Sequence, residues 1–311
     1  MYLYGDPDVK LNAKWRKHAK ALRKRKVFFS LTAAGDIDFV GCGVTDEALA
    51  IIADVDTITK IGASSSEVTD EGLKHIARMA GLEELLLDRS QVTGHGLAAL
   101  ADCAKLNDLY CSDMPDFETG VRHIGQIKSL KSISLNSRDL IPASAFDTWK
   151  SSNLTRVEYY CELATDEHVE SFARIYKLEH LSVSGHKVTN HSLELLSKLA
   201  FLSSLSVGDA NIDDKGVLIL PSFRALRSLL LSGTKITSTG CRWFPQIPNL
   251  QELSLTGTAV GDDAIAYFID CPGLSYLELL STQITKEGFL RLRQSMPDCD
   301  IYVNTDIDPV E

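Results

Sequence analysis

Cys161, His168, His186 and His191 are the residues whose types and spacing come nearest to chemistry, because thiolate and imidazole are the donors that hold zinc in a tetrahedral site. Their places in the sequence argue against it. The chain repeats with a fixed period, and the four residues occupy different phases of that period, which scatters their side chains over different surfaces; His168 and His191 fall at helix starts. The other thiols have packing phases: Cys103 and Cys271 share an inward helical position, Cys111 falls in a strand core and Cys241 in a helix core. "GCGVTD" from position 41 lacks the third glycine of a dinucleotide-binding loop, no Gly-Lys-Ser/Thr follows a glycine loop, and no His-Glu-x-x-His occurs. These observations predict a protein without catalytic residues, cofactor, metal or small-molecule substrate.

The elements that would have to position such residues are set by one short phrase. "GTKITSTG" (233–240) returns as "GCGVTDEA" at 41, "SSEVTDEG" at 65, "RSQVTGHG" at 89, "GHKVTNHS" at 185, "GTAVGDDA" at 257 and "STQITKEG" at 281, every start a multiple of 24 from the next. Leucine stands at 82 and at every twenty-fourth position to 274. Three residues on, an aliphatic recurs without exception from Ile37 to Ile301, and two further on Phe39, Leu87, Leu135, Val183, Val207, Leu231, Leu255, Leu279 and Val303 complete L-x-x-L-x-L. The alternation predicts a short strand with one buried face. The fourth residue of the phrase, such as Val68, Leu140 or Ile236, is an inward anchor; Thr or Asp then caps a helix. Acidic residues such as Glu47 and Glu71 suit the first turn. The closing Gly or Ala, as at Gly72, Gly96, Gly216, Gly240 and Gly288, allows close approach of neighbouring units, and Leu97 with Leu100 or Phe289 with Leu292 gives one buried helical stripe.

This pattern resembles the leucine-rich repeat family over nearly the whole chain, with the nearest look that of bacterial proteins whose units end T-D-x-G-L and close with a proline-cysteine-isoleucine cap, here "MPDCDI" (296–301). The resemblance implies an α/β solenoid with a curved parallel sheet on its concave face and helices on the convex face, in eleven 24-residue units (34–297) plus a terminal strand. One departure stands out. The asparagine that follows the strand in such repeats and ties the turns together is replaced; Thr234, Thr258 and Thr282, with Cys42, Ser66 and Ser90, are positioned to take over that role.

Domain limits follow: a basic amphipathic helix and capping strand (1–33), the solenoid (34–304) and an acidic tail (305–311). Leu11, Trp15, Ala19 and Leu22 line one face of the first helix, and "VFFSL" (27–31) is placed to pair with the strand at Ile37. Residues 1–26 carry nine Lys or Arg against two Asp, while the chain as a whole stands at −10. The acidic body disfavours nucleic acid; the basic helix leaves anchoring to a membrane surface or nucleic acid as the alternative to a plain cap. Seven cysteines without paired spacing, no apolar span and no signal-peptide core lead to a cytoplasmic expectation.

Function therefore rests on surface. Outward strand positions lie side by side at about 4.8 Å, a face suited to a protein partner. Asp88, Asp108, Tyr110, Asn136, Arg156, Glu158, Tyr160 and His180 make its middle chemically rich, whereas Ser182, Ser204, Ser206, Ser228 and Ser254 leave the later units plain. Tyr and Arg are common interface anchors. The neighbouring phrases are irregular: "DMPDFETG" (113–120) puts Asp116 at the anchor position, "SRDLIPAS" (137–144) places Pro142 at the helix start, and "CELATDEH" (161–168) reduces the anchor to Ala164. These eight residues are the predicted contact face.

Overall fold

The computed structural model describes residues 18, 20–22, 30–31, 37–38 and 44–304. The chain divides into two compact units, Met1–Leu154 and Thr155–Glu311. In the first, β3 (Lys60–Gly62), β4 (Glu84–Leu86), β5 (Asp108–Ser112) and β6 (Ser132–Asn136) pair in chain order, all parallel, with Ile61, Leu85, Leu109 and Ile133 in register. In the second, β7 (Arg156–Tyr160), β8 (His180–Ser184), β9 (Ser204–Gly208), β10 (Ser228–Leu230), β11 (Glu252–Ser254), β12 (Tyr276–Glu278) and β13 (Asp300–Tyr302) do the same. The unit limit falls between two strands and leaves the 24-residue spacing of Ile133 and Val157 intact. Each parallel strand from β3 to β12 is followed by a turn and a helix, so the architecture is an α/β leucine-rich repeat solenoid. The inward strand residues from Ile61 to Ile301 are all buried, each side chain contributing about 1.5–3 kcal/mol.

The strand at Ile37 departs from the expected ladder. Ile37–Asp38 (β2) pairs antiparallel with Ser30–Leu31 (β1), Leu31 opposite Ile37. The pairing with "VFFSL" is present at Ser30–Leu31, and among the described residues β2 belongs to this two-stranded sheet and not to the parallel one. Of the expected capping helix, residues 18 and 20–22 are helical and Leu22 is fully buried. The rest of that helix, the phrase start at 41–43 with Cys42, and the tail 305–311 lie outside the described residues.

The repeated phrase has a physical reason at each position. Its first residue is left-handed in seven copies: φ is 54° at Ser65, 55° at Arg89, 42° at Asp113, 52° at Asp209 and 53° at Ser281, and 69° and 72° at Gly233 and Gly257. Only glycine enters that region without cost, which is why it opens several copies. The anchor is buried, and threonine follows as N-cap: Thr45 Oγ1 accepts from Ala48 N at 3.3 Å, Thr69 Oγ1 from Glu71 N at 3.2 Å, and Thr285 Oγ1 from Gly288 N at 3.1 Å. The aspartate after it reaches the next repeat. Asp46 accepts from the backbone N and hydroxyl of Thr69 (2.9 and 2.6 Å), Asp166 from Thr189 (2.8 and 2.6 Å), Asp214 from Thr237 (2.8 and 2.6 Å) and Asp262 from Thr285 (2.9 and 2.6 Å). Asn190 and Asp213 replace the pair once, with Asn190 Nδ2 donating to Asp213 at 2.7 Å; that bond, with backbone donors, holds the Asp213 carboxyl below its usual range. The closing glycine belongs to the same join. A Cβ on Gly72, Gly96, Gly216, Gly240 or Gly288 would overlap the preceding Asp46, Asp70, Asn190, Asp214 or Asp262 side chain.

This join corrects the role expected of Ser66, Ser90, Thr234, Thr258 and Thr282. Their hydroxyls donate to Ala63, Leu87, Leu231, Leu255 and Leu279 carbonyls at 2.6–2.9 Å, three residues back in their own turn. They close turns rather than tie them together. Leu140 is a second correction: it is 50% exposed, and Ile141 at 3% takes the inward place. In several units the anchor directly precedes the N-cap, as Val68 precedes Thr69 and Val188 precedes Thr189, whereas Val92, Ile212 and Ile236 stand three residues before theirs. Pro142 is the N-cap of the 143–151 helix, and Ile141 stands directly before it. Helices are α over Asp46–Ile52, Asp70–Ile76, Phe117–Ile124, Asp166–Ala173, Asn190–Leu196, Ile265–Ile269 and Lys286–Ser295, and 3-10 over Gly96–Asp102, Ala143–Ser151, Gly216–Ser222 and Gly240–Gln246. Pro221 and Pro245 sit inside two of the latter, where a missing N–H breaks the i to i−4 ladder.

Candidate partner-binding face

The strands alternate as expected, and all eight predicted contact residues are half-buried or exposed. They fall in both units. In residues 1–154, strand pairing sets Lys60, Glu84, Asp108 and Ser132 in one row and Leu86, Tyr110 and Ser134 in the next. Lys60 Nζ lies 2.8 Å from Glu84 Oε1. Asp88 and Asn136 stand at the strand ends, where their carbonyls accept from Ser65 N (2.7 Å) and Asp113 N (3.0 Å). Asp88 also lies near the buried Cys111, whose thiol is pushed well up, first by burial and then by that carboxylate.

In residues 155–311 three of the predicted residues meet one another. Glu158 stands between Arg156, whose Nη1 is 3.5 Å from Oε1, and Tyr160, whose hydroxyl is 3.5 Å from Oε2. His180 pairs across from Arg156 in the ladder. Partial burial and then the Arg156 charge lower its pKa from 6.5, against smaller opposing effects of Glu179 and Glu158. An arginine, a carboxylate, a phenol and a mostly neutral imidazole thus share two neighbouring strands.

The later strands are richer than expected. Tyr276 continues the Arg156 row with Glu252 and Asp300, and Tyr302 continues the Glu158 row with Ser254 and Glu278. The two rings lie 5.2 Å apart between centroids, and Ser254 donates to Glu278 Oε2 at 2.7 Å. Burial and then Glu278 raise the Tyr276 pKa. The signal was in the period, since 276 and 300 share the phase of 156 and 180; the serines between them hid it.

The metal-type residues have other partners. His168 Nδ1 accepts from Thr165 N at 3.2 Å as part of a capping box, and its ring stacks on Tyr159 at 5.5 Å. His186 Nδ1 faces the Asp209 carbonyl at 2.9 Å and His191 Nδ1 faces Glu194 at 3.2 Å. Among the described residues no group of three or more His, Cys, Asp or Glu could hold a metal ion. Nor, among them, is any helix long and apolar enough to cross a membrane.

No protein-family model matches the sequence, and no curated protein does. Solved structures do. An internalin, InlF, of Listeria monocytogenes is similar over 94% of this chain and 94% of its own, with a TM-score of 0.60 at 16% identity. Internalin C2 of the same organism covers 68% of this chain and 84% of its own (TM-score 0.47, 23% identity), and an LRR protein of Leptospira interrogans covers 86% and 88% (TM-score 0.40, 15% identity). The fold is that of bacterial leucine-rich repeat proteins.

Proposed function

We propose that this protein is a binding scaffold without chemistry of its own, and that a protein partner docks on outward strand positions of each unit, Asp108 and Tyr110 in the first and Arg156, Glu158, Tyr160 and His180 in the second. The observation that carries the reading is the arrangement on β7 and β8. Arg156 and Tyr160 are exposed, are held by Glu158 between them, and stand on a rigid ladder, so little side-chain freedom is lost on docking. The basic helix is read as a cap, which the complete burial of Leu22 supports. The test is capture of partners from the native host by the wild-type chain and by a Tyr110→Ala, Tyr160→Ala variant. The variant should fold normally and lose about 2 kcal/mol or more of binding to a partner the wild type retains. Ser206→Ala with Ser232→Ala should lose little. A silent tyrosine pair beside a sensitive serine pair moves the site elsewhere. Deleting residues 1–26 should lower stability; salt-sensitive binding lost without loss of stability would favour the anchoring alternative.

A further inference from the structure

Tyr276 on β12 and Tyr302 on β13 form a ring pair on outward strand positions, 5.2 Å between centroids and tilted by 37°. The ladder surrounds the pair with carboxylates. Glu252 and Asp300 stand directly across from Tyr276, one on each side, and Glu278 stands across from Tyr302. Tyr302 is 49% exposed, Glu252 and Asp300 are exposed, and Tyr276 and Glu278 are half-buried. The buried Ser254 donates to Glu278 Oε2 at 2.7 Å and so fixes that side chain beside the rings. Glu278 is also the diagonal neighbour of both Glu252 and Asp300, a spacing of about 7 Å that long side chains bridge and at which like charges repel. Among the described residues none of these three carboxylates is in an ion pair. Burial and then Glu278 raise the Tyr276 pKa, and Glu252 and Asp300 act in the same direction. On β10 the same two rows carry Ser228 and Leu230, which bounds the patch on that side.

We propose that this patch seats the guanidinium of an arginine on a protein partner, stacked on the tyrosine pair and donating to Glu278 and a flanking carboxylate. The rings select the cation's shape and the carboxylates its charge. A cation is attracted to a ring face within about 6 Å of the centroid. Arginine meets both demands at once, because its plane stacks on an aromatic while its edge donates to carboxylates, whereas the ammonium of lysine is a point charge. Docking would also relieve the repulsion that the chain leaves standing between Glu252, Glu278 and Asp300. Five strand spacings separate Tyr276 from Arg156, about 24 Å at about 4.8 Å each. The seat is therefore a second contact within residues 155–311, and it takes from the scaffold reading only that the occupant is a protein.

The full chain labelled with 3-fluorotyrosine is titrated with the peptide acetyl-Gly-Arg-Gly-amide and followed by fluorine NMR, the Tyr276 and Tyr302 signals being assigned from their phenylalanine variants. Saturable shifts are expected at these two signals and none at Tyr176 or Tyr267. Tyr302→Leu, read at Tyr276, and Glu252→Gln with Glu278→Gln should each raise the dissociation constant about fivefold or more, while Tyr302→Phe, which keeps the ring, should change it less than about twofold. Glu170→Gln with Glu194→Gln removes the same charge from elsewhere in residues 155–311 and should change nothing. The glutamine pair decides if Tyr302→Leu fails to fold. Unmoved ring signals, equal affinity for the lysine or the neutral citrulline peptide, or equal weakening by the control pair would overturn the proposal. Shifts of both rings on concentrating the free protein would give the patch to a second copy and overturn it as well. A sensitive Tyr110 and Tyr160 pair beside unmoved rings here removes this seat alone, and the converse result removes the other face alone.

Discussion

Gly94 donates its backbone N–H to the Pro115 carbonyl at 2.7 Å, at the position where Asp46, Asp70, Asp166, Asp214 and Asp262 each receive a threonine from the following repeat. A Cβ at Gly94 would overlap the Asp116 carbonyl. The missing aspartate of "VTGHG" and the irregular "DMPDFETG" are therefore one change made on both sides of a single join. Gly94→Ala should destabilise the protein by about 1–3 kcal/mol, as overpacking does, measured by urea denaturation.

The regular join makes a sharper test. Asp214→Ala removes a charge-assisted acceptor from both Thr237 donors and should cost about 1.5–3 kcal/mol. Gly240→Ala places a methyl against that same carboxylate and should be costly alone. In the Asp214→Ala background its cost should shrink, because the carboxylate it would overlap is gone. Additive losses in the double-mutant cycle would show that the glycine is there for another reason.

The shifted anchor predicts opposite outcomes for adjacent residues. Ile141→Ala should cost about 2–5 kcal/mol, the range for truncating a buried aliphatic, while Leu140→Ala should be close to neutral. Thermal unfolding of the pair checks this, and equal losses would restore the unshifted register.

Two groups set a pH dependence. The His180 pKa lies below 6.5 in the folded chain, so the unfolded chain takes up its proton first, and stability falls as pH drops through 6.5 and past the folded value. Asp213, also lowered, contributes stability above its unfolded value near 3.8 that is lost as pH falls below it. His180→Asn should flatten the first step only, read as denaturation midpoint against pH.

Burial pushes Cys103 and Cys299 up to about 11 and Cys271 up to about 12. At pH 8 these thiols should label with maleimide only as fast as the chain opens, and in denaturant at the rate of free cysteine. Peptide mapping after a short pulse separates the two.

Most of the architecture was legible because one period carries it. Leu82 and its eight successors, and the aliphatics from Ile37 to Ile301, report a strand without any knowledge of its neighbours. The join was visible only as spelling: "V-T-D" names the threonine and the aspartate, but the partner of Asp46 stands 23 residues on, and sequence order places Thr45 beside it instead. Leu140 misled because the period points to it, while the residue directly before the Pro142 cap, Ile141, fills the core. Tyr110, Arg156, Glu158 and Tyr160 were correctly read as outward from the period-2 alternation. Tyr276 and Tyr302 shared their phases and escaped notice among serines.

The aspartate–threonine join makes each 24-residue segment carry a socket at one end and the matching plug at the other. A duplicated or deleted segment where consecutive joins keep the pair, as in 46–93, would find its mating group already in place, so the chain could lengthen or shorten there by whole units. Between Gly94 and Ala164 the fittings are individual to each position. Length is open to change where the join is regular, and closed where the turns are particular.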